Sequence, residues 1–194
     1  MPGCARPEKC GAVSAAHAQG LAGIKNAVRA GVRTIEHGAF DAWDEEVSEL
    51  MKRQGTVLVP TLAAPDGILQ GEGKAPDFML QKTRPIAERH RANTLEAYRA
   101  GVPVAAGTDA GTPPNPHPNL ARELALLAEV GLEPPDVLRA ATVVAARALG
   151  REHERGRLAP GFVADLAALD GNPLASPAAY ARPLATVARG RLVL

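Results

Sequence analysis

Aromatic side chains make up only 3% of this 194-residue chain, and neither sign of charge dominates, the formal net charge being +1. A surface for nucleic acid or another polyanion needs a basic face, and no Lys- or Arg-rich tract supplies one. Cysteine is equally sparse. Cys4 and Cys10 both lie in the opening stretch MPGCARPEKCG, too few for a disulfide framework or a thiolate metal centre, which agrees with a reduced, cytoplasmic setting. That opening has no apolar core of a signal peptide, and nowhere do about 18 apolar residues run uninterrupted, so neither secretion nor membrane insertion is expected. A phosphate-cradling GxxxxGK[ST] pattern is also missing, which leaves nucleotide binding without support. What is present is 46% hydrophobic residues, enough to bury a core in one domain, with or without an appendage.

The hydrophobic pattern is one of repeated strand and helix. Ala12 to Ala16 reads as a strand, and Leu21, Ile24 and Val28 then recur at helical spacing until Gly31. Val32 to Glu36 makes a second strand, followed by a helix carrying Trp43, Val47, Leu50 and Met51 on one face up to Gly55. TVLVPTL, residues 56–62, reads as a buried strand, and the Gly/Pro/Asp-rich stretch over 63–76 as an active-site loop. A long helix is expected from about Asp77 to Ala100, disturbed near Pro85. Val102 to Ala106 then gives a fourth strand, and a second loop covers 110–118. Two closing amphipathic helices carry Leu120, Leu124 and Leu127, then Val137, Leu138, Ala141, Val144 and Ala145. Four strand-helix units in this order predict half of a parallel α/β barrel. After Gly150, short apolar pieces such as FVADLAAL and ATVARGRLVL predict a small β element instead. The expected organisation is an irregular segment over 1–11, a partial barrel over 12–155 and a β segment over 156–194.

Three segments end in a potential metal ligand just before a glycine: AVSAAHAQG with His17, VRTIEHG with His37 and VPVAAGTDAG with Asp109. Ligands at the C-terminal ends of parallel strands converge on one mouth. Two imidazoles and a carboxylate meet the usual count for a catalytic divalent ion, which lowers the pKa of its water to roughly 7. Asp109 suits metal contact and, as a general base, the movement of the water's proton to a leaving amine. A single histidine at a strand end is more often a hydrogen-bonded structural residue; two of them and an aspartate in successive units favour ligation. His90, within RHRANTLEAYRA, reads as part of a solvated helix face, and His153 as a surface loop residue. His117, in the loop after Asp109, is placed either to reach substrate or to serve the loop itself. Glu36 is expected to point away from His37 by strand alternation and to pack or pair outside the barrel.

The combination of HAQG, the run from GIKNAVRAGVRTIEHG, GTVLVPTL, GTDAG and GRLAPGFVADLAALDGNPL resembles the C-terminal part of a metal-dependent amidohydrolase. It is most similar to the subgroup containing imidazolonepropionase and Xaa-Pro dipeptidase-like enzymes, from about residue 12 to the end. The resemblance implies an α/β fold, the C-terminal half of a (β/α)8 TIM barrel of the metal-dependent hydrolase type, followed by the C-terminal piece of a small β-sandwich. It implies one or two divalent ions, commonly zinc, in complete relatives and at most one well-formed site here. By position, His17 resembles the ligand after strand five, His37 the ligand after strand six, and Asp109 the aspartate after strand eight that touches metal and shuttles protons. His117 falls where many relatives carry a loop histidine near substrate. The implied reaction is hydrolysis of an amide, cyclic amide or dipeptide-like small molecule by metal-activated water.

The departures from the family pattern are specific. No HxH pair and no bridging lysine or glutamate of a fourth strand occurs, and Gln19 stands where close relatives often have a histidine. The opening stretch does not read like the elements that should precede AVSAAH, as expected of a truncated or mis-started gene. The alternative expectation is therefore a non-catalytic fragment, or half of a split barrel completed by another chain or by self-association.

Overall fold

The computed structural model describes residues 12–71, 76–112, 115–117 and 119–193. The segment expected to be irregular over 1–11, and parts of the two expected loops, lie outside these residues. Three parallel strands, β1 (Ala15–Ala18), β2 (Thr34–His37) and β3 (Val57–Val59), form one sheet in that order. In register, Ala16 pairs with Ile35 and Ile35 with Leu58, while His17 pairs with Glu36 and Glu36 with Val59. One set of alternate side chains, including Ile35 and Leu58, meets Ile24, Val28, Val47 and Met51 in the main core. These come from α1 (Leu21–Arg29) and α2 (Glu45–Gln54), whose apolar stripes face the sheet as their spacing predicts. Asp44 caps α2 by accepting the Val47 N–H at 2.9 Å. The cap of α1 comes from outside it, because Asp41 in the following β2–α2 connection accepts the Leu21 N–H at 3.0 Å.

The opposite face of the sheet carries His17, Thr34, Glu36 and Val59. Glu36 is therefore on the face that carries His17, away from the helices, where its Oε1 accepts the Thr34 hydroxyl at 2.5 Å, rather than on the outer, helix-packed side expected from strand alternation. The expectation failed because His37 leaves the strand with a left-handed φ of 69°, which breaks the alternation at that residue.

The expected loop over 63–76 is a helix in its described first part, α3 (Ala63–Gln70). Pro65 falls in its first turn, where its missing N–H is tolerated, and the Ala63 N–H is capped by Glu123 from 60 residues away. The fourth expected strand, 102–106, is reduced to one parallel bridge between Val104 and Leu58. Pro103 accepts from the Leu58 N–H but has no N–H to return, and Ala106 donates instead to Ala140. The long helix α4 (Asp77–Arg99) runs through Pro85. The last expected helical region comprises α5 (Leu120–Val130), α6 (Pro134–Ala141) and α7 (Val143–Ala148), the latter two broken at Thr142, whose φ and ψ are −126° and −93°. Its hydroxyl turns back to the Leu138 carbonyl at 2.7 Å. α7 packs at the N-terminal end of that second face, with Ala148 against Val57 and Ala105.

After α7 the chain forms a separate antiparallel sheet of β4 (Leu166–Leu169), β5 (Pro183–Ala188) and β6 (Arg191–Leu192), in that order, with a 3-10 helix over Pro177–Ala181 between β4 and β5. Among the described residues no helix is long and apolar enough to cross a membrane.

Candidate active site at the C-terminal ends of the strands

Among the described residues, three at the C-terminal side of the parallel segments have left-handed backbones without being glycine: His37 (φ 69°), Thr61 (φ 54°) and Asp109 (φ 51°). Such a conformation costs an L-residue roughly 1–3 kcal/mol and persists only where its surroundings hold it. For the β-branched Thr61 it is especially unusual. Two of these residues are ones that strand-end spacing singled out, and the third was not recognised.

The structure brings His17 and His37 together. His17 Nδ1 lies 2.9 Å from His37 Nε2, with ring centroids 4.4 Å apart and planes at 68°. His37 is buried, whereas His17 is exposed. The other nitrogen of His37, Nδ1, is 2.8 Å from Thr61 Oγ1. Thr61 also donates its one hydroxyl proton to the Pro60 carbonyl at 2.6 Å, so towards His37 it must accept. His37 therefore carries its proton on Nδ1 and presents the lone pair of Nε2 to His17. Burial lowers the His37 pKa below its ordinary value, the neighbouring His17 adds to that, and the charge of Asp109 opposes it. Without metal, Nε2 accepts from the Nδ1–H of His17; displacing that one shared proton would leave two imidazole nitrogens facing one point, with the other nitrogen of His37 anchored, as a metal site requires.

Asp109 sits at the same mouth, exposed, and close enough to act electrostatically on His37. Its carbonyl and that of Thr108 accept from Asn115 Nδ2 at 3.0 and 2.6 Å. Asn115 is 1% exposed and was not recognised from the sequence. His117 is exposed on the same loop, where a Cβ added to Gly111 would lie 3.6 Å from its Nε2. His153 is exposed in a turn, as expected. His90 is not on a solvated face. It is 1% exposed, packs its ring 4.8 Å from that of Phe40 with the planes tilted by 58°, and donates through Nε2 to the His37 carbonyl at 2.7 Å. Burial pushes its pKa down to about 4, against the pull of the His37 and Pro60 carbonyls.

Glu123 on α5 is fully buried and accepts the Ala63 N–H at 2.7 Å, two residues beyond Thr61. Burial raises its pKa to about 8, although the Ala63 and Leu62 amides favour the charged form. Beside it, Arg122 grips Asp66 of α3 with two nitrogens, each at 2.9 Å. This fixes the start of α3 against α5 and with it the backbone that carries Thr61.

The donor chemistry suits a divalent cation at two positions, since His17 and His37 aim imidazole nitrogens at each other and Thr61 sets the tautomer. Among the described residues no group of three His, Cys, Asp or Glu side chains is arranged to hold an ion.

A sequence model described as "Amidohydrolase family" matches residues 5–193. The chain is 35% identical over 177 residues to the ochratoxinase of Aspergillus niger, covering 89% of this chain and 35% of that protein. It is 35% identical over 124 residues to the imidazolonepropionase of Geobacillus kaustophilus, covering 61% of this chain and 29% of that protein. The crystal structure of a Xaa-Pro dipeptidase with methionine bound in its active site superposes with a TM-score of 0.86 at 30% identity, over 96% of this chain and 46% of that one. The chain thus spans about a third to a half of the length of these relatives.

Proposed function

This chain belongs to the amidohydrolase family, and on that premise we propose that its site serves metal-dependent hydrolysis of a C–N bond in a small amide, cyclic amide or dipeptide-like substrate. The observation that carries the reading is the approach of His17 Nδ1 to His37 Nε2 with Thr61 behind. His17 and His37 would hold a divalent ion, zinc by the preference of imidazole ligands. Such an ion, when bound, acidifies a water molecule and polarises a carbonyl oxygen.

The chain's own residues supply the rest. Thr61 keeps the proton of His37 on Nδ1, so Nε2 stays a ligand at neutral pH. Asp109 would accept the proton of the attacking water and return it to the leaving nitrogen, which must be protonated before it departs as an amine. The exposed His117 and the loop around it would meet the substrate. On the same reading, residues 12–155 form the barrel part and 156–194 a layer of a small β-sandwich, whose β5 and β6 leave Leu184 and Leu192 exposed for a facing layer.

A second reading has its own support. Only two ligating nitrogens meet among the described residues, so turnover would require further ligands from another polypeptide or a second copy. One experiment addresses both: metal analysis of the purified chain, sizing, and hydrolysis of a panel of Xaa-Pro dipeptides and cyclic amides. The catalytic reading expects bound zinc and turnover, with Asp109→Asn abolishing turnover while most of the metal stays. Unchanged turnover in that variant would reject the role given to Asp109. Zinc without turnover until a complementing chain is added would favour the second reading.

A further inference from the structure

The connection that leaves β2 runs outward from His37, and three of its carbonyls point to the same helix. His90 Nε2 donates to the His37 carbonyl at 2.7 Å, Asn93 Nδ2 to the Ala39 carbonyl at 2.8 Å, and Arg89 Nη1 to the Asp41 carbonyl at 3.1 Å. The acceptors alternate along the connection at 37, 39 and 41, which is the spacing a neighbouring strand would serve. Here side chains of α4 supply the donors. His90 and Asn93 are separated by three residues and share a buried face of α4 with Ala87, Thr94 and Ala97.

The geometry points to His90 and Asn93 as positioning residues for the metal-binding site: by holding the carbonyls of His37 and Ala39, they keep His37 in its left-handed turn with Nε2 facing His17. The step from backbone to ring is direct. A side chain leaves Cα in a direction set by φ and ψ, and at His37 an extended φ would continue the strand and carry the ring to the other face of the sheet. The hydrogen bond to Thr61 then selects the rotamer, but only once the backbone has presented the ring. His90 gains nothing from its own Nδ1, which has no hydrogen-bond partner among the described residues. An imidazole buried with one nitrogen unpaired is costly in a core, and what it provides in return is the bond to the His37 carbonyl. Phe40, in the same turn, packs against the His90 ring at a tilt of 58°.

The inference builds on the two-imidazole site proposed above, and its test separates the two. The full chain is prepared as wild type, His90→Gln, His90→Leu and Asn93→Ser, with Ala92→Gly, at an exposed position of α4, as a control that loosens the helix away from the turn. Two readouts are taken: the imidazole 15N spectrum of His17 and His37 without metal, and zinc affinity by calorimetry. His90→Leu is expected to lose the Nδ1-to-Nε2 pairing signature of the two rings and to weaken zinc binding about 10- to 100-fold. His90→Gln, whose amide donor reaches a similar point, should restore both. Asn93→Ser should move both readouts in the same direction by less, and decides the matter if His90→Leu does not fold. Ala92→Gly should lower the melting temperature and leave the ring spectrum alone. Ring spectra unchanged in His90→Leu and Asn93→Ser would overturn the inference, as would ring spectra that change equally in Ala92→Gly. A wild-type chain that binds no zinc would remove the proposed function, while the ring spectra would still decide whether α4 positions His37.

Discussion

Thr61 Oγ1 sits 2.8 Å from His37 Nδ1, and both residues have left-handed backbones at the ends of adjacent strands. Two locally unfavourable conformations thus meet in a single hydrogen bond. Because the Thr61 proton is committed to the Pro60 carbonyl, the bond has a fixed polarity, and that polarity decides which nitrogen of His37 is available.

Thr61→Val keeps the shape of the side chain and removes the acceptor. His37 Nδ1–H is then buried without a partner, at a cost of about 1–3 kcal/mol in stability, and the ring loses its tautomer preference. Zinc affinity should fall by about 10- to 100-fold. Thr61→Ser retains the hydroxyl and should bind zinc within a few-fold of wild type. Calorimetric titration of both variants checks this, and equal affinities for Val and Ser would show that the hydroxyl does not set the ligand.

Glu123 gives a stability prediction with a definite sign. Folded Glu123 holds its proton up to about pH 8, whereas the ordinary glutamate value is 4.5. Between those values the unfolded chain binds fewer protons, so this group's contribution to stability is fully present below pH 4.5 and is lost as pH rises towards 8. The slope is at most roughly 1.4 kcal/mol for each pH unit. Glu123→Gln keeps an oxygen for the Ala63 amide and cannot ionise. Urea unfolding at pH 5, 6, 7 and 8 should show the variant gaining on the wild type as pH rises. Parallel curves would mean that Glu123 is ionised in the folded protein.

The legible part of this site was whatever repeats along the chain. His17 and His37 each close a short apolar run before a turn, and α1 and α2 announce themselves by Ile24, Val28, Val47 and Met51 at helical spacing. Contacts made between distant segments left no local trace. α3 looked like a loop because its cap, Glu123, is 60 residues away. His90 looked solvated because RHRAN is highly polar, although Ala87, His90, Thr94 and Ala97 fall at the i, i+3, i+7 and i+10 positions of a buried face. That face is small and polar, so a search for large apolar residues passes over it. Reading small residues with His and Asn at helical spacing would have found it. Pro103 was visible, and its missing N–H was reason enough to shorten the fourth strand to a bridge.

The turn beyond His37 also makes a prediction about Gly38. Its φ is +82°, and a Cβ there would come within 2.9 Å of Leu58 Cδ1. Gly38→Ala must therefore adopt a conformation costing an L-residue roughly 1–2 kcal/mol and must also displace a core leucine. Gly23 is the counterpart, inside α1 with nothing within 4 Å of an added Cβ. Gly23→Ala should raise stability by about 0.5–1 kcal/mol through the lower helix propensity of glycine, whereas Gly38→Ala should lower it by about 1–3 kcal/mol. Denaturant melts of the two variants provide the comparison. If both substitutions stabilised the chain, the left-handed turn would not be a constraint of the folded state. Because Leu58 packs beneath that turn, its displacement should also disturb His37, so Gly38→Ala is expected to weaken zinc binding and Gly23→Ala to leave it unchanged.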